Sequence, residues 1–220
     1  MLSRSVRRKR SVQALRAAYR AHAPFFLFPL QLDADSQVRR YSPYSGMKEA
    51  IACVLTSFAQ SAPSDTHIII RNHPLDNGLI DYAGFLASFA AACGISDRVH
   101  FVEGGKAHKM MDRSLGVVVL NSTMGISALR QGKPVYCVGT SIYAMPGLAV
   151  NSAEMPLDAF WNHPRGPEEN ALSDFERVLK THALVNGNFY TREGISTAIE
   201  GIVQRFDEPC STCQAGNEGL

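Results

Sequence analysis

The residue types best able to do chemistry in this chain stand in short polar groups beside apolar runs. Asn121, Ser122 and Thr123 stand at the end of the apolar run GVVVLN, and Gly125 follows closely. A strand-to-helix turn with small hydroxyls and a glycine exposes backbone N–H groups and the positive end of the helix dipole. Such a turn suits a phosphate. Capping of the helix by Ser122 or Thr123 would account for the same residues, so that structural role stays open.

A histidine provides a second candidate group. His73 precedes Pro74, which pushes its backbone into extended conformations, so its ring should project from the end of the preceding apolar run. A lone histidine is usually structural or solvated. On the same sheet edge as the hydroxyl turn, however, it could donate a hydrogen bond to the same phosphate.

A third group is the segment QLDADSQ, which carries Gln31, Asp33, Asp35 and Gln37. Gln31 and the two carboxylates are spaced two apart, so in an extended segment they would point the same way. A carboxylate that faces a bound sugar donor could act as nucleophile or base. A solvated carboxylate is the alternative for each aspartate.

The elements that must position these groups are short apolar runs that alternate with helical stretches. The runs are FFLFPLQL (25–32), THIIIR (66–71), RVHFVE (98–103), GVVVLN (116–121) and PVYCVG (134–139). The predicted helices between them cover 45–60, 81–94, 107–114 and 124–132, and later helical stretches cover 157–163, 167–184 and 191–206. This alternation predicts an α/β fold, a Rossmann-like doubly wound parallel sheet of about five strands with C-terminal helices.

The sheet gives the polar groups a common location. Ligands of an open parallel sheet bind outside the carboxyl ends of its strands. Polar or glycine-rich loops follow four of the five runs, including GTSIYAMPG after the last one. We therefore expect one ligand site at that edge.

Composition and charge limit the class of protein. Hydrophobic residues make up 45% and charged residues 19%, which is ordinary for a globular domain. Residues 1–22 carry seven Lys or Arg and no acid, so the remainder is slightly acidic. This arm is either a solvated lead-in to the fold or a patch that meets anionic lipid or another polyanion.

The chain shows neither a secretory signal nor about 18 consecutive apolar residues. A cytoplasmic protein is expected, and peripheral attachment to the inner membrane stays open. The predicted organisation is a basic arm (1–24), a Rossmann-like ligand-binding domain with C-terminal helices (25–206) and a disordered tail (207–220). No nucleic-acid partner is expected.

The five cysteines predict no metal site. Three lie in apolar segments and are expected to be reduced core residues. Cys210 and Cys213 form a lone CxxC in the polar tail, without a second pair or a histidine set, so zinc or redox chemistry there is a minor alternative.

Several motifs occur in a characteristic order between about residues 25 and 190. They are PLQLDADSQV, IRNHPLD, VVLNSTMGISALRQGKPVYCVG and SIYAMPGL, followed more loosely by LDAFW and VNGNFY. In this order and spacing they resemble the bacterial capsule polysaccharide biosynthesis family, the β-Kdo glycosyltransferases that start or build the linker of lipid-anchored capsules. Such enzymes are similar to GT-B glycosyltransferases, whose C-terminal domain holds the nucleotide sugar.

The resemblance implies a role for each group of residues. His73, Pro74 and the turn at Ser122 and Thr123 would contact the CMP moiety of the donor, CMP-Kdo. Asp35 would be the nucleophile of a retaining reaction, with Asp33 as the fallback. The other residues taken as donor-binding are Gln31, Gln37, Asn121, Gly125 and Tyr143. No cofactor or metal is implied, and the acceptor would be a lipid or glycolipid.

A GT-B enzyme also has a second domain of comparable size, whereas about 24 residues precede the first predicted strand here. We therefore expect the C-terminal, donor-binding half of such an enzyme, either as a fragment or incorrectly started reading frame, or with a partner chain that supplies the acceptor half. A non-catalytic capsule-assembly or export module, working with other such proteins at the inner membrane, is the alternative. An unrelated Rossmann enzyme is a further one, although the glycine-rich first turn of dinucleotide sites is missing.

Overall fold

A five-stranded parallel sheet forms the centre of the fold. The computed structural model describes residues 23–207. Its strands are β1 (Phe25–Pro29), β2 (His67–Arg71), β3 (Val99–Val102), β4 (Gly116–Val119) and β5 (Val135–Cys137). Their order in the sheet is β3-β2-β1-β4-β5, and every pair is parallel. The predicted α/β fold is thus confirmed, and each predicted apolar run contains one strand.

The central strand β1 is paired on both sides. Its register with β2 runs from Phe25 opposite His67 to Pro29 opposite Arg71, and on the other side Phe26 lies opposite Gly116. Every residue of β1 is buried, as expected for a parallel strand covered on both faces. Because all strands point the same way, the loops that follow them lie along one edge.

Helices follow the strands close to their predicted positions. They are α1 (Ser36–Arg40), α2 (Met47–Ser61), α3 (Tyr82–Ala92), α4 (Ala107–Arg113), α5 (Met124–Leu129), α6 (Leu157–Phe160), α7 (Glu169–Val178) and α8 (Arg192–Asp207), with a π-helical segment at Leu179–Ala183 between the last two. The sequence did not predict α1, whereas the predicted helical stretch 167–184 contains both α7 and the π-helical segment.

The main core lies between the sheet and α2, α3 and α6. Phe26 packs edge-on against Trp161, with ring centroids 5.0 Å apart, and Trp161 also meets Phe58 of α2. The indole N–H of the buried Trp161 donates to Ser57 Oγ at 2.8 Å, which satisfies the polar tip of this large side chain. The segment after β5 is thereby held to α2.

The described cysteines are all free thiols. Cys137 is buried, and burial raises the pKa of its thiol to about 12, so it stays protonated at neutral pH. The core prediction is wrong for Cys53, which is exposed because Ile51, Val54 and Leu55 form the buried face of α2. Cys210 and Cys213 lie outside the described residues.

The chain divides into two compact units, the first ending at Leu172 and the second beginning at Ser173. In the second unit, the Arg205 guanidinium donates to the carbonyls of Thr181, His182 and Leu184, which closes the end of the π-helical segment. The predicted domain bounds stay a prediction, and the basic arm and the tail fall almost wholly outside residues 23–207. Within those residues, no helix is both long and apolar enough to cross a membrane.

Two histidines on the neighbouring strands β2 and β3 make the stability of the fold depend on pH. His67 Nδ1 lies 2.8 Å from His100 Nε2, between β2 and β3, so one ring must supply a lone pair to the other. Burial, and secondly the proximity of His67, lower the pKa of His100 from its ordinary value of 6.5, while Asp97 opposes the shift more weakly.

Stability should therefore fall on mild acidification. Because the unfolded chain binds the proton at higher pH than the fold does, the His100 contribution is complete above about pH 6.5 and is lost as the pH falls toward the lowered value. Thermal unfolding followed between pH 7.5 and 5 should show this loss, and His100→Gln should reduce it. The matched control, His163→Gln at an exposed position, should keep the wild-type slope. An equal slope in the His100 variant would contradict the assignment.

Candidate functional site

The loops after β1, β2, β4 and β5 line one open cleft at the carboxyl edge of the sheet. Its volume is about 680 Å³. The predicted site residues that line it are Gln31, Asp35, Gln37, His73, Asn121, Ser122, Thr123 and Tyr143. The loop pattern in the sequence thus located a real concavity, and the ligand roles given to these residues stay predictions.

His73 is held by a compact turn. The Asp76 backbone N–H donates to the His73 carbonyl at 3.0 Å, and Pro74 occupies the second position of this turn, where its fixed φ is favourable. The Asn72 side chain accepts from the His73 N–H at 2.9 Å and donates to Asp76 at 3.1 Å. Pro74 is exposed and shapes the turn without lining the cleft.

The same turn fixes the tautomer of His73. Its Nδ1 accepts a hydrogen bond from the Leu75 N–H at 3.2 Å. A neutral ring whose Nδ1 is an acceptor carries its proton on Nε2. In this neutral form the His73 ring, which lines the cleft, has its Nε2–H to donate.

The turn after β4 contains both of the hydroxyls predicted as phosphate contacts. The Ser122 side chain accepts from the Met124 N–H at 3.2 Å, and the Ser122 carbonyl accepts from the Gly125 N–H at 2.9 Å. Thr123 occupies the N-cap position of α5, yet its side chain makes no capping hydrogen bond. Ser122 therefore provides the local capping hydrogen bond, whereas Thr123 lines the cleft and its side chain makes no capping bond.

Tyr143 supports this turn from below. The ring is 2% exposed, and its hydroxyl donates to the Ser122 carbonyl. Burial, the largest cause, raises the pKa of the phenol, so the donor proton is retained. A Cβ on Gly125 would lie 2.6 Å from Cε2 of Tyr143, so only glycine lets the ring approach this closely. Gly125 is buried and does not line the cleft.

The two candidate nucleophiles have different surroundings. Asp33 Oδ1 accepts from the Met47 N–H at 2.8 Å and so caps α2, and Asp33 is not among the cleft residues. Asp35 lines the cleft, and its Oδ1 accepts from the Gln37 N–H at 2.9 Å as the N-cap of α1. Of the two, Asp35 is the carboxylate that a ligand in the cleft would meet.

Some cleft residues were missed by the sequence reasoning. Tyr41 follows α1, and Thr140, Ser141 and Ile142 belong to the loop after β5. The sequence analysis had noted the loop after β5 as a polar loop without naming these residues. No motif or pattern in the sequence marked Tyr41. Between residues 23 and 207, no group of three or more His, Cys, Asp or Glu is placed to hold a metal ion.

Comparison with known sequences identifies the family of the chain. The sequence profile described as capsule polysaccharide biosynthesis protein matches residues 2–190. The chain belongs to this family. The match includes all four loops of the cleft, and the resemblance expected from the ordered motifs is confirmed.

Curated members of the family are similar over most of this chain. Capsule polysaccharide modification protein LipB of Neisseria meningitidis serogroup A is 35% identical over 172 residues, which cover 78% of this chain and 40% of LipB. Capsule polysaccharide export protein KpsS of Escherichia coli is 30% identical over 166 residues, covering 76% of this chain and 42% of KpsS. The chain therefore spans about two fifths of the length of these relatives.

Solved structures show a looser similarity of fold. The beta Kdo 2,7 transferase KpsC of Thermosulfurimonas dismutans has a TM-score of 0.46 at 18% identity, over 78% of this chain and 52% of that one. Anabaena HepE, in a complex with UDP and glucose, has a TM-score of 0.48 at 16% identity, over 93% of this chain and 48% of that one.

The contact between Gly125 and Tyr143 can be tested by adding one methyl group. Gly125→Ala should destabilise the fold by about 1–3 kcal/mol, because the ring must move and its bond to the Ser122 carbonyl is strained. Thermal or urea unfolding measures the loss. In a double-mutant cycle with Tyr143→Ala, the second substitution should remove most of the Gly125→Ala penalty, and full additivity would contradict the packing described.

Proposed function

We propose that this chain is the donor-binding part of a retaining β-Kdo transferase and that its cleft binds CMP-Kdo. One observation carries the proposal: in a member of the capsule polysaccharide biosynthesis family, polar groups from four strand ends converge on a single cleft at the edge where parallel sheets bind ligands.

The cleft offers hydrogen-bond donors for the phosphate of CMP. The Nε2–H of His73 and the hydroxyls of Ser122 and Thr123 stand on its walls. Hydrogen bonds to a charged phosphate are stronger than bonds between neutral groups. A nucleoside monophosphate carries no diphosphate charge to neutralise, so the proposed site includes no metal.

Asp35 is the proposed nucleophile. In the first step its carboxylate forms a bond to the anomeric carbon of Kdo, the bond from that carbon to the phosphate oxygen breaks, and CMP leaves with the electron pair. In the second step a hydroxyl of the acceptor attacks the same carbon, the bond to Asp35 breaks with its electron pair returning to the carboxylate, and the hydroxyl proton passes to water. Two displacements at one carbon retain its configuration.

The acceptor and its location follow from the same proposal. A lipid or glycolipid acceptor would be presented at the inner membrane, where this cytoplasmic chain would work with other capsule-assembly proteins. Residues beyond this chain, in the same polypeptide or in a partner, would form the acceptor side.

A second candidate is a module that binds the donor or docks in the assembly without turnover. The similarity to the Escherichia coli relative KpsS, an export protein by name, favours it. Radiolabelled CMP-Kdo and a lipid acceptor distinguish the two, because turnover by this chain excludes the second candidate and nucleotide binding without turnover favours it.

His73→Ala should weaken CMP binding about tenfold or more, since loss of a hydrogen bond to a charged phosphate costs about 1.5–3 kcal/mol. Isothermal titration calorimetry with CMP measures the change. The exposed His163→Ala variant, outside the cleft, should bind like the wild type. Absence of binding at millimolar CMP, with His73→Ala indistinguishable from wild type, would refute the proposed ligand.

Asp35→Asn should leave CMP affinity nearly unchanged and abolish transfer in the complete enzyme. Asparagine caps a helix about as well as aspartate, so α1 should persist, while the amide is a far weaker nucleophile. The assay compares transfer rate and CMP affinity in the same preparation. Transfer near the wild-type rate would show that Asp35 is not the nucleophile.

A further inference from the structure

We propose that Asn121, in the loop after β4, is a positioning residue that holds the Asp35 segment in place and does not itself donate to the sugar donor. Gln31 would in turn hold Asn121. The inference rests on the proposed function for the role of Asp35, whereas the mechanical part rests on hydrogen bonds within the fold.

Both N–H groups of the Asn121 side chain are used inside the protein. Its Oδ1 accepts from Gln31 Nε2 at 2.9 Å, and its Nδ2 donates to the Gln37 carbonyl at 2.8 Å and to the Tyr41 carbonyl at 3.1 Å. An asparagine amide has two N–H groups, and both are engaged here. No N–H of Asn121 is left to donate to a phosphate or a sugar oxygen, although the residue lines the cleft.

Gln31 fixes the orientation of that amide. Its side chain is 8% exposed, and its Oε1 accepts from the Asn121 backbone N–H at 3.2 Å while its Nε2 donates to Asn121 Oδ1. This reciprocal pair joins the loops after β1 and β4. The flipped amide of Asn121 would place Oδ1 against two carbonyl oxygens and Nδ2 against a donor, so a single orientation is permitted.

The two carbonyls that Asn121 binds lie at both ends of the Asp35 segment. Gln37 is in the first turn of α1, which Asp35 caps, and Tyr41 is its C-cap residue. A helix of five residues is not stable alone, so its position depends on such tertiary bonds. The Tyr41 carbonyl also accepts from the Thr140 N–H at 2.9 Å, which adds the loop after β5 to the same junction.

The direct test removes both donors of the Asn121 side chain. Asn121→Asp keeps the size and the acceptor oxygen, loses both N–H groups and sets a carboxylate beside two carbonyls. In the chain without ligand, hydrogen exchange of the segment 33–42 should become about tenfold faster, as expected when bonds worth about 1.4 kcal/mol are lost locally. The matched control is Asn162→Asp, which removes another amide donor to a carbonyl, that of Ser61, and should leave segment 33–42 unchanged.

Unchanged exchange in segment 33–42 of a folded Asn121→Asp variant would overturn the mechanical part. Should that variant fail to fold, Gln31→Met supplies the same test, because it frees the Asn121 amide while leaving its donors. Its exchange in segment 33–42 should rise by a smaller factor, and no rise would also overturn the proposal. Neither exchange measurement requires nucleotide. If CMP failed to bind, the proposed function would be refuted, and the exchange measurement would still decide whether Asn121 holds segment 33–42.

A kinetic readout separates positioning from general loss of stability. With CMP-Kdo as donor in the complete enzyme, Asn121→Leu, which removes the donors without placing a charge near the phosphate, should lower kcat about hundredfold, because a misplacement of about 1 Å at the reacting group costs that much. The Kd for CMP should change by less than about threefold, since no donor contact is lost. A large loss of CMP affinity with kcat unchanged would instead identify Asn121 as a ligand contact and refute the positioning role.

Discussion

Parallel pairing of β1 with β2 on one side and β4 on the other is the constraint on which the cleft depends. This pairing places the central strand between the two halves of the sheet, in the order β3-β2-β1-β4-β5, and all five strands end at the same edge. For this reason the loops that carry Asp35, His73 and Ser122 are far apart in sequence and close in space. A one-sided pairing of β1 would separate them.

The polar residues at this edge divide into two kinds. The first kind makes hydrogen bonds within the protein that fix the loops. Gln31 and Asn121 bond to each other, Asn121 also bonds to the Gln37 carbonyl, and Asp33 accepts from the Met47 N–H. The second kind lines the cleft with groups that make no capping or turn hydrogen bond: the Nε2 of His73 and the hydroxyl of Thr123. A cleft built from short loops needs the first kind to hold the second kind still, since each loop alone has too few contacts to be rigid.

The sequence predicted the strands and their common edge because buried parallel strands are continuous apolar runs, as in THIIIR and GVVVLN. It could not assign Asn121 or Gln31, because a polar residue at a strand end can bind a ligand or a distant backbone group, and their bonds join residues 80 to 90 positions apart. Helix α1 was missed for the same reason, since five residues of mixed type carry no periodic signal and depend on tertiary contacts.

The central claim, that the cleft binds the CMP part of a sugar donor, is tested most directly by a crystal structure of the chain with CMP. The account predicts the phosphate within about 3 Å of His73 Nε2 and of a hydroxyl of Ser122 or Thr123, with the Asn121 amide still bonded to the Gln37 and Tyr41 carbonyls. CMP bound outside this cleft, or inside it with its phosphate remote from both His73 and the turn after β4, would contradict the account.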